Sequence, residues 1–174
     1  MLTIILFAAV VVLTLIDQLT KFWAVAELHH ADRVISVIDG VFELRYTENP
    51  GVAFGQLSGQ GWFFIPLTVL FIVLFVIMLL RSPLRTRLLF SIPVACITAG
   101  ALGNLIDRIA YGYVVDFLYV RLIDFPIFNF ADCCVVIGAI VLFIFFLFVW
   151  KDDSMPLRTM VFGIEVAEKE SNDG

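Results

Sequence analysis

Two aspartates of this chain, Asp116 and Asp132, stand where an ionised carboxylate is expensive. The first lies in Gly112-Tyr113-Val114-Val115-Asp116-Phe117-Leu118 and the second in Phe128-Asn129-Phe130-Ala131-Asp132-Cys133-Cys134-Val135, at the mouth of a long apolar run. A charged carboxylate in hydrocarbon costs roughly 2.5–3.5 kcal/mol even on a lenient insertion scale. Residues placed there carry protons, do chemistry or hold a fold together. Two carboxylates facing each other across one water cannot both ionise cheaply, so the pair holds one proton. The ionised member then takes a proton from the water, which attacks a carbonyl that the protonated member polarises. Serine chemistry fits less well, with no GxSxG elbow and no histidine near a plausible serine. Cysteine chemistry lacks a base beside Cys133 or Cys134.

The elements that must position such a pair belong in lipid. The chain has 174 residues, 61% of them hydrophobic, and a mean hydropathy of +1.03, whereas a water-soluble domain averages about 45–50% apolar. A net charge of −5 argues against nucleic acid, which wants clustered Lys and Arg. No phosphate-cradling GxxxxGK[ST] or GxGxxG loop is present. With His29 and His30 the only histidines and Cys96, Cys133 and Cys134 in apolar runs, neither a metal site nor a structural disulfide is expected.

Four stretches, about 2–25, 62–80, 88–111 and 133–150, reach the ~20 helical residues needed to cross about 30 Å of hydrocarbon. The first lacks a basic leading region and a small-residue cleavage site, and reads as an anchor instead of a removable signal peptide. The Arg-rich loop 81–87 faces the cytoplasm by the positive-inside rule. Both termini then do so too, and segments 26–61 and 112–132 lie outside. Phe42, Leu44 and Tyr46 alternate with Glu43, Arg45 and Thr47, the period of a strand. Asp39-Gly40 suits a hairpin turn to a partner strand over 34–38. The second external segment reads as an interfacial, partly helical stretch broken at Pro126. The expected fold is a mainly α membrane protein: a bundle of four transmembrane helices with a small extracytoplasmic β-hairpin. Residues 1–150 form one integral-membrane domain, and 151–174 a mobile cytoplasmic tail.

A helical rise of about 1.5 Å per residue puts Asp17 about 22 Å beyond Leu2 and Asp107 about 29 Å beyond Leu88. Asp116 and Asp132 flank the outer ends of spans three and four. Polar groups from distant parts of the chain thus share one depth, the outer interface. Plainer roles are open for each. Asp107 and Arg108 can pair on the helix face they share with Asn104, while Gly100 and Gly103 let another helix approach. Asp17 and Lys21 can form an i, i+4 pair with Lys21 snorkelling outward. Asn129 can cap span four, leaving Asp132 at its third position. Asp116 can sit on the wet side of an interfacial helix. A proton-coupled carrier or a non-catalytic scaffold is the alternative class. Carriers place carboxylates near the midplane and within internal repeats, and no repeat is found.

Five blocks then carry a resemblance: Asp17-Gln18-Leu19-Thr20-Lys21; Asn49-Pro50-Gly51-Val52-Ala53-Phe54-Gly55; Gly100-Ala101-Leu102-Gly103-Asn104-Leu105-Ile106-Asp107-Arg108; Gly112-Tyr113-Val114-Val115-Asp116-Phe117; and Phe125-Pro126-Ile127-Phe128-Asn129-Phe130-Ala131-Asp132. In this order they resemble the bacterial lipoprotein (prolipoprotein) signal peptidases, the type II signal peptidases. The resemblance implies an aspartic endopeptidase of the bacterial inner membrane that cleaves a prolipoprotein before its diacylglyceryl-modified cysteine. It places the catalytic dyad on Asp116 and Asp132, and substrate-orienting or bracing roles on Asp17, Asn49, Gly51, Asn104, Arg108 and Asn129. It implies membrane phospholipid as surroundings, globomycin as an inhibitor, no cofactor or metal, and a monomer. The chain departs from the family pattern at Ala99, where glycine is frequent, and at Val52, where alanine is; neither touches the dyad.

Overall fold

The computed structural model describes residues 1–29, 33–51, 61–82 and 88–149. In hydrocarbon a backbone has no water to bond, so long apolar runs satisfy their N–H and C=O groups internally, as helices. Four form: α1 (Leu2–Ala24, continued by a π-turn at Val25–His29), α2 (Gly61–Arg81), α3 (Leu88–Tyr111) and α4 (Phe130–Ile144, continued by a π-turn at Phe145–Val149). Among the described residues three helical stretches are long and apolar enough to cross a membrane: Leu2–His29, Leu88–Tyr111 and Phe130–Phe148. α2 contributes a shorter apolar stretch, Ile65–Arg81. Most of the Arg-rich loop, Val52 and the C-terminal tail lie outside the described residues.

α3 is the central helix and packs on α1, α2 and α4. Helices in lipid associate by close packing of small residues rather than by a hydrophobic drive, and the expected glycines supply it. A Cβ on Gly100 would collide with the Ala131 carbonyl, and one on Gly103 with the Asp17 carboxylate. Gly138 of α4 makes the reciprocal approach, lying against the Pro93 carbonyl and Ile97. Away from the strands, Leu6, Val10, Leu79, Phe90, Val94 and Phe145 fill the bundle core. Ile4, Val11, Leu19 and Phe22 of α1 and Val136, Ile137, Ile140 and Phe143 of α4 point outward. So much exposed apolar side chain is what a bilayer solvates.

β1 (Val34–Ile38) and β2 (Phe42–Asn49) form the expected antiparallel hairpin, with Gly40 at φ +72° in its turn. The second external segment differs from expectation. It is a third strand, β3 (Val114–Tyr119), antiparallel to β2, followed by a single 3-10 turn at Arg121–Ile123. Its first four residues are all buried, so it shows no alternation to read, and a continuous apolar run does not distinguish strand from helix by period. Phe117 packs with Ala24 and Leu28 at the end of α1, and Ile35, Leu44 and Tyr46 lie on this cluster. Arg121 is bound to the buried Glu43 at 2.6 Å, pinning the 3-10 turn to the hairpin.

Replacing Gly100 by alanine forces α3 away from the α4 backbone. We expect Gly100→Ala to destabilise the protein by about 1–3 kcal/mol, read as a lower melting temperature in detergent. An unchanged melting temperature would mean that the two helices separate without cost.

Candidate active site

Backbone pairing brings Asp116 and Asp132 together. Leu118 bridges Phe128 across β3, with Phe128 N–H donating to the Leu118 carbonyl (3.0 Å) and Leu118 N–H to the Phe128 carbonyl (2.8 Å). Asn129, next in the chain, therefore lands beside Asp116. It also caps α4, as its position in the sequence suggests. Its Oδ1 accepts from Asp132 N–H (2.9 Å), and its own N–H donates to Asp132 Oδ2 (3.1 Å), a reciprocal capping box. The Asn129 side-chain Nδ2 meanwhile donates to Asp116 Oδ1 at 2.6 Å. One residue thus holds both carboxylates.

Each aspartate has a further amide. Asn49 Nδ2 donates to Asp116 Oδ2 (2.9 Å), and Asn49 Oδ1 accepts from Gly51 N–H (2.9 Å). Gly51 adopts φ +85°, a conformation that side chains resist, so glycine closes the turn that aims Asn49. Asn104 Nδ2 donates to Asp132 Oδ1 (2.8 Å). Arg108, one turn on, donates to the Asn104 carbonyl (3.3 Å) and lies within electrostatic reach of Asp132, Asp107 and Asp116.

The ion pairs of the bundle differ from expectation in part. Asp17 and Lys21 do pair, at 2.9 Å, but Lys21 points inward and is 3% exposed instead of snorkelling. Asp107 bonds Lys21 (2.9 Å), Gln18 Nε2 (3.0 Å) and the Val115 N–H (3.1 Å), so these ties run to α1 and β3. Asp17 also accepts the Ala131 N–H (2.9 Å), in the first turn of α4. The sequence by itself does not place Lys21 and Gln18 in the site. The i, i+4 spacing of Lys21 from Asp17 placed both on one face, but only packing could say that this face turns inward. Gln18 stands in the first of the five resemblance blocks, but nothing in its spacing points to Asp107.

Asp116 is 1% exposed. Burial pushes its carboxyl up to about 6, helped by the Asp132 charge, while the Asn49 and Asn129 amides and the Lys21 charge pull it back. Asp132 is only partly buried and lines an apolar groove of about 520 Å³ with Phe125, Phe128, Cys133, Val136 and Ile137. A second apolar cavity, about 300 Å³ between α2, α3 and α4, ends on Asn104 and Arg108. Two carboxylates held by one asparagine in unequal surroundings, one of them opening on an apolar groove, suit acid–base attack on a lipophilic substrate.

The chain matches the family described as Signal peptidase (SPase) II over residues 9–148. The lipoprotein signal peptidase of Symbiobacterium thermophilum is 42% identical over 136 residues, 77% of this chain and 88% of that one. That of Halothermothrix orenii is 39% identical over 149 residues, 86% of this chain and 97% of its own. A solved structure described as a bacterial membrane enzyme superposes with a TM-score of 0.74 at 31% identity, covering 87% of this chain and 94% of the other. The chain belongs to the signal peptidase II family of membrane proteases.

Proposed function

We propose that this protein removes signal peptides from prolipoproteins, hydrolysing the bond before a diacylglyceryl-modified cysteine with an aspartyl dyad formed by Asp116 and Asp132. The observation that carries the reading is the single Asn129 side chain and N–H group spanning both carboxylates. In this mechanism Asp116 keeps the proton, because it is the sealed member, and Asp132 is the base. Asp132 takes a proton from water, whose oxygen attacks the peptide carbonyl carbon. Asp116 donates to the carbonyl oxygen and stabilises the tetrahedral intermediate. Collapse breaks the C–N bond, with the proton held by Asp132 passing to the leaving amine of the modified cysteine. Asn49, Asn104 and Asn129 hold the carboxylates. Gly51 shapes the turn behind Asn49, Asp17 braces the start of α4, and Arg108 offers a cation to the substrate or dyad.

We further propose that α2 is the fourth crossing and that residues 1–150 form one membrane domain. Both termini then face the cytoplasm, and the strands and dyad lie at the periplasmic face of a bacterial inner membrane. The positive-inside rule applied to the Arg-rich loop supports this orientation. The apolar groove beside Asp132 suits acyl chains reaching the dyad from the outer leaflet, and globomycin-type inhibitors would compete there.

Asp116→Asn and Asp132→Asn should each lower kcat about 10³-fold or more on a synthetic lipobox peptide carrying diacylglyceryl-cysteine, with the melting temperature retained. Near-normal cleavage by either variant would refute the dyad.

The Asp116 value also gives pH a sign. If Asp116 supplies the proton, activity falls as pH rises through the upper value of the pair. Asn49→Ala removes a donor that favours the ionised form, so this alkaline limb should move to higher pH, by about one unit. A limb that stays put or moves down would place the proton elsewhere.

A further inference from the structure

The mechanism above leaves Lys21 unused. Its ammonium has three N–H donors and no acceptor, and three acceptors each lie at 2.9 Å: Asp17 Oδ2, Asp107 Oδ2 and Asn104 Oδ1. Two carboxylates already outweigh one ammonium, so charge balance does not call for the third contact. The third contact has another consequence. An amide side chain fits its space either way round, and here an obligate donor decides which way. With Oδ1 taken by Lys21, and also by Asn129 Nδ2 at 3.1 Å, the Asn104 N–H is what faces Asp132 Oδ1, at 2.8 Å. Turned over, the amide would set its oxygen against the carboxylate. Two acceptors tolerate that contact only if a proton joins them.

We infer that Lys21 is a positioning residue for the reaction: by holding Asn104 Oδ1 it keeps an N–H on Asp132 and thereby sets how many protons the dyad carries. The inference rests on the dyad reading. The chain of contacts is continuous, from Lys21 of α1 through Asn104 of α3 to Asp132 of α4, and nearly all of it is buried. Gly103 helps to place its first link, since its missing side chain is what lets the Asp17 carboxylate sit between α1 and α3.

The charged and titratable groups around Asp132 and the Asn104 amide are Lys21 and Asp17 from α1, Asp107 and Arg108 from α3, Asp116 from β3 and Cys133 on α4 itself. Removing Lys21 changes the charge near the dyad as well as the amide, so the test separates the two. Lys21→Met/Asp107→Asn loses one cation and one anion, and leaves the cluster with the single net negative charge it has now. The measurement is the kcat–pH profile on the diacylglyceryl-cysteine peptide, whose limbs do not depend on how much of the protein is folded.

In both Lys21→Met and the double variant the acidic limb should move up by about one pH unit. KM should stay within about two-fold, and Lys21→Arg, which keeps a donor for Asn104, should restore the limb. A double variant whose limb returns to the parent position would show that Lys21 acts by charge alone and overturn the inference, as would an unmoved limb in both. Should Lys21→Met fail to fold, the double variant, whose net buried charge equals that of the parent, carries the test by itself. Failure of the dyad shows separately, as cleavage by Asp132→Asn.

Discussion

A charged group withdrawn from both water and lipid must be answered inside the protein. Within the bundle Asp17, Lys21 and Asp107 are such groups, almost wholly buried. Losing one partner of such a group costs far more than a surface pair contributes, so the acceptors around Lys21 act as one unit. That unit joins elements far apart in the chain. Asp17 and Lys21 come from α1, Asn104 and Asp107 from α3, while Asp107 reaches β3 through Val115 and Asp17 reaches α4 through Ala131. In a bundle where lipid is as apolar as leucine, these polar contacts specify which helix faces meet, and glycines at positions 100, 103 and 138 let them close.

The two aspartates reach this unit from different kinds of backbone. Asp116 stands on a strand whose register against β2 is set opposite Thr47 and whose other edge bonds Phe128. Asp132 stands in the first turn of a helix whose cap is Asn129. A strand edge and a helix start are rigid, and one residue of chain separates them. That is why residues sixteen apart in sequence can be held with little freedom between them. The Asp17 bond to the Ala131 N–H then fixes the same helix start from the opposite side.

Much of this was legible in the sequence. The hydrophobic runs, the hairpin at Asp39-Gly40, the Asn129 cap and the shared depth of the polar residues rest on periods and spacings that local chemistry dictates. The strand at 114–119 was not, because burial on both faces erases the alternation that marks a strand. The fate of Lys21 was not legible either. A lysine near the end of an apolar helix can snorkel or turn inward, and the choice depends on acceptors some eighty residues away at Asn104 and Asp107. Nor could sequence pair Asp107 with α1, since Arg108 beside it was the nearer and simpler partner.

Under the proposed mechanism, the surroundings of Asp116 and Asp132 also divide their labour. Asp116 has neighbours on every side, and this burial favours its protonated form against the pull of the amide N–H groups on both oxygens, so it is suited to keeping a proton and poorly placed to meet a diffusing water. Asp132 opens on a groove of phenyl and aliphatic side chains. A water activated there would share that groove with substrate, and closing it with acyl chains would exclude other waters and strengthen each remaining polar contact. On this view the lipid of the substrate does more than mark the cleavage point. It would complete the low-dielectric wall that the protein leaves open beside Asp132, so that the pair is fully enclosed only when the peptide bond it attacks is in place.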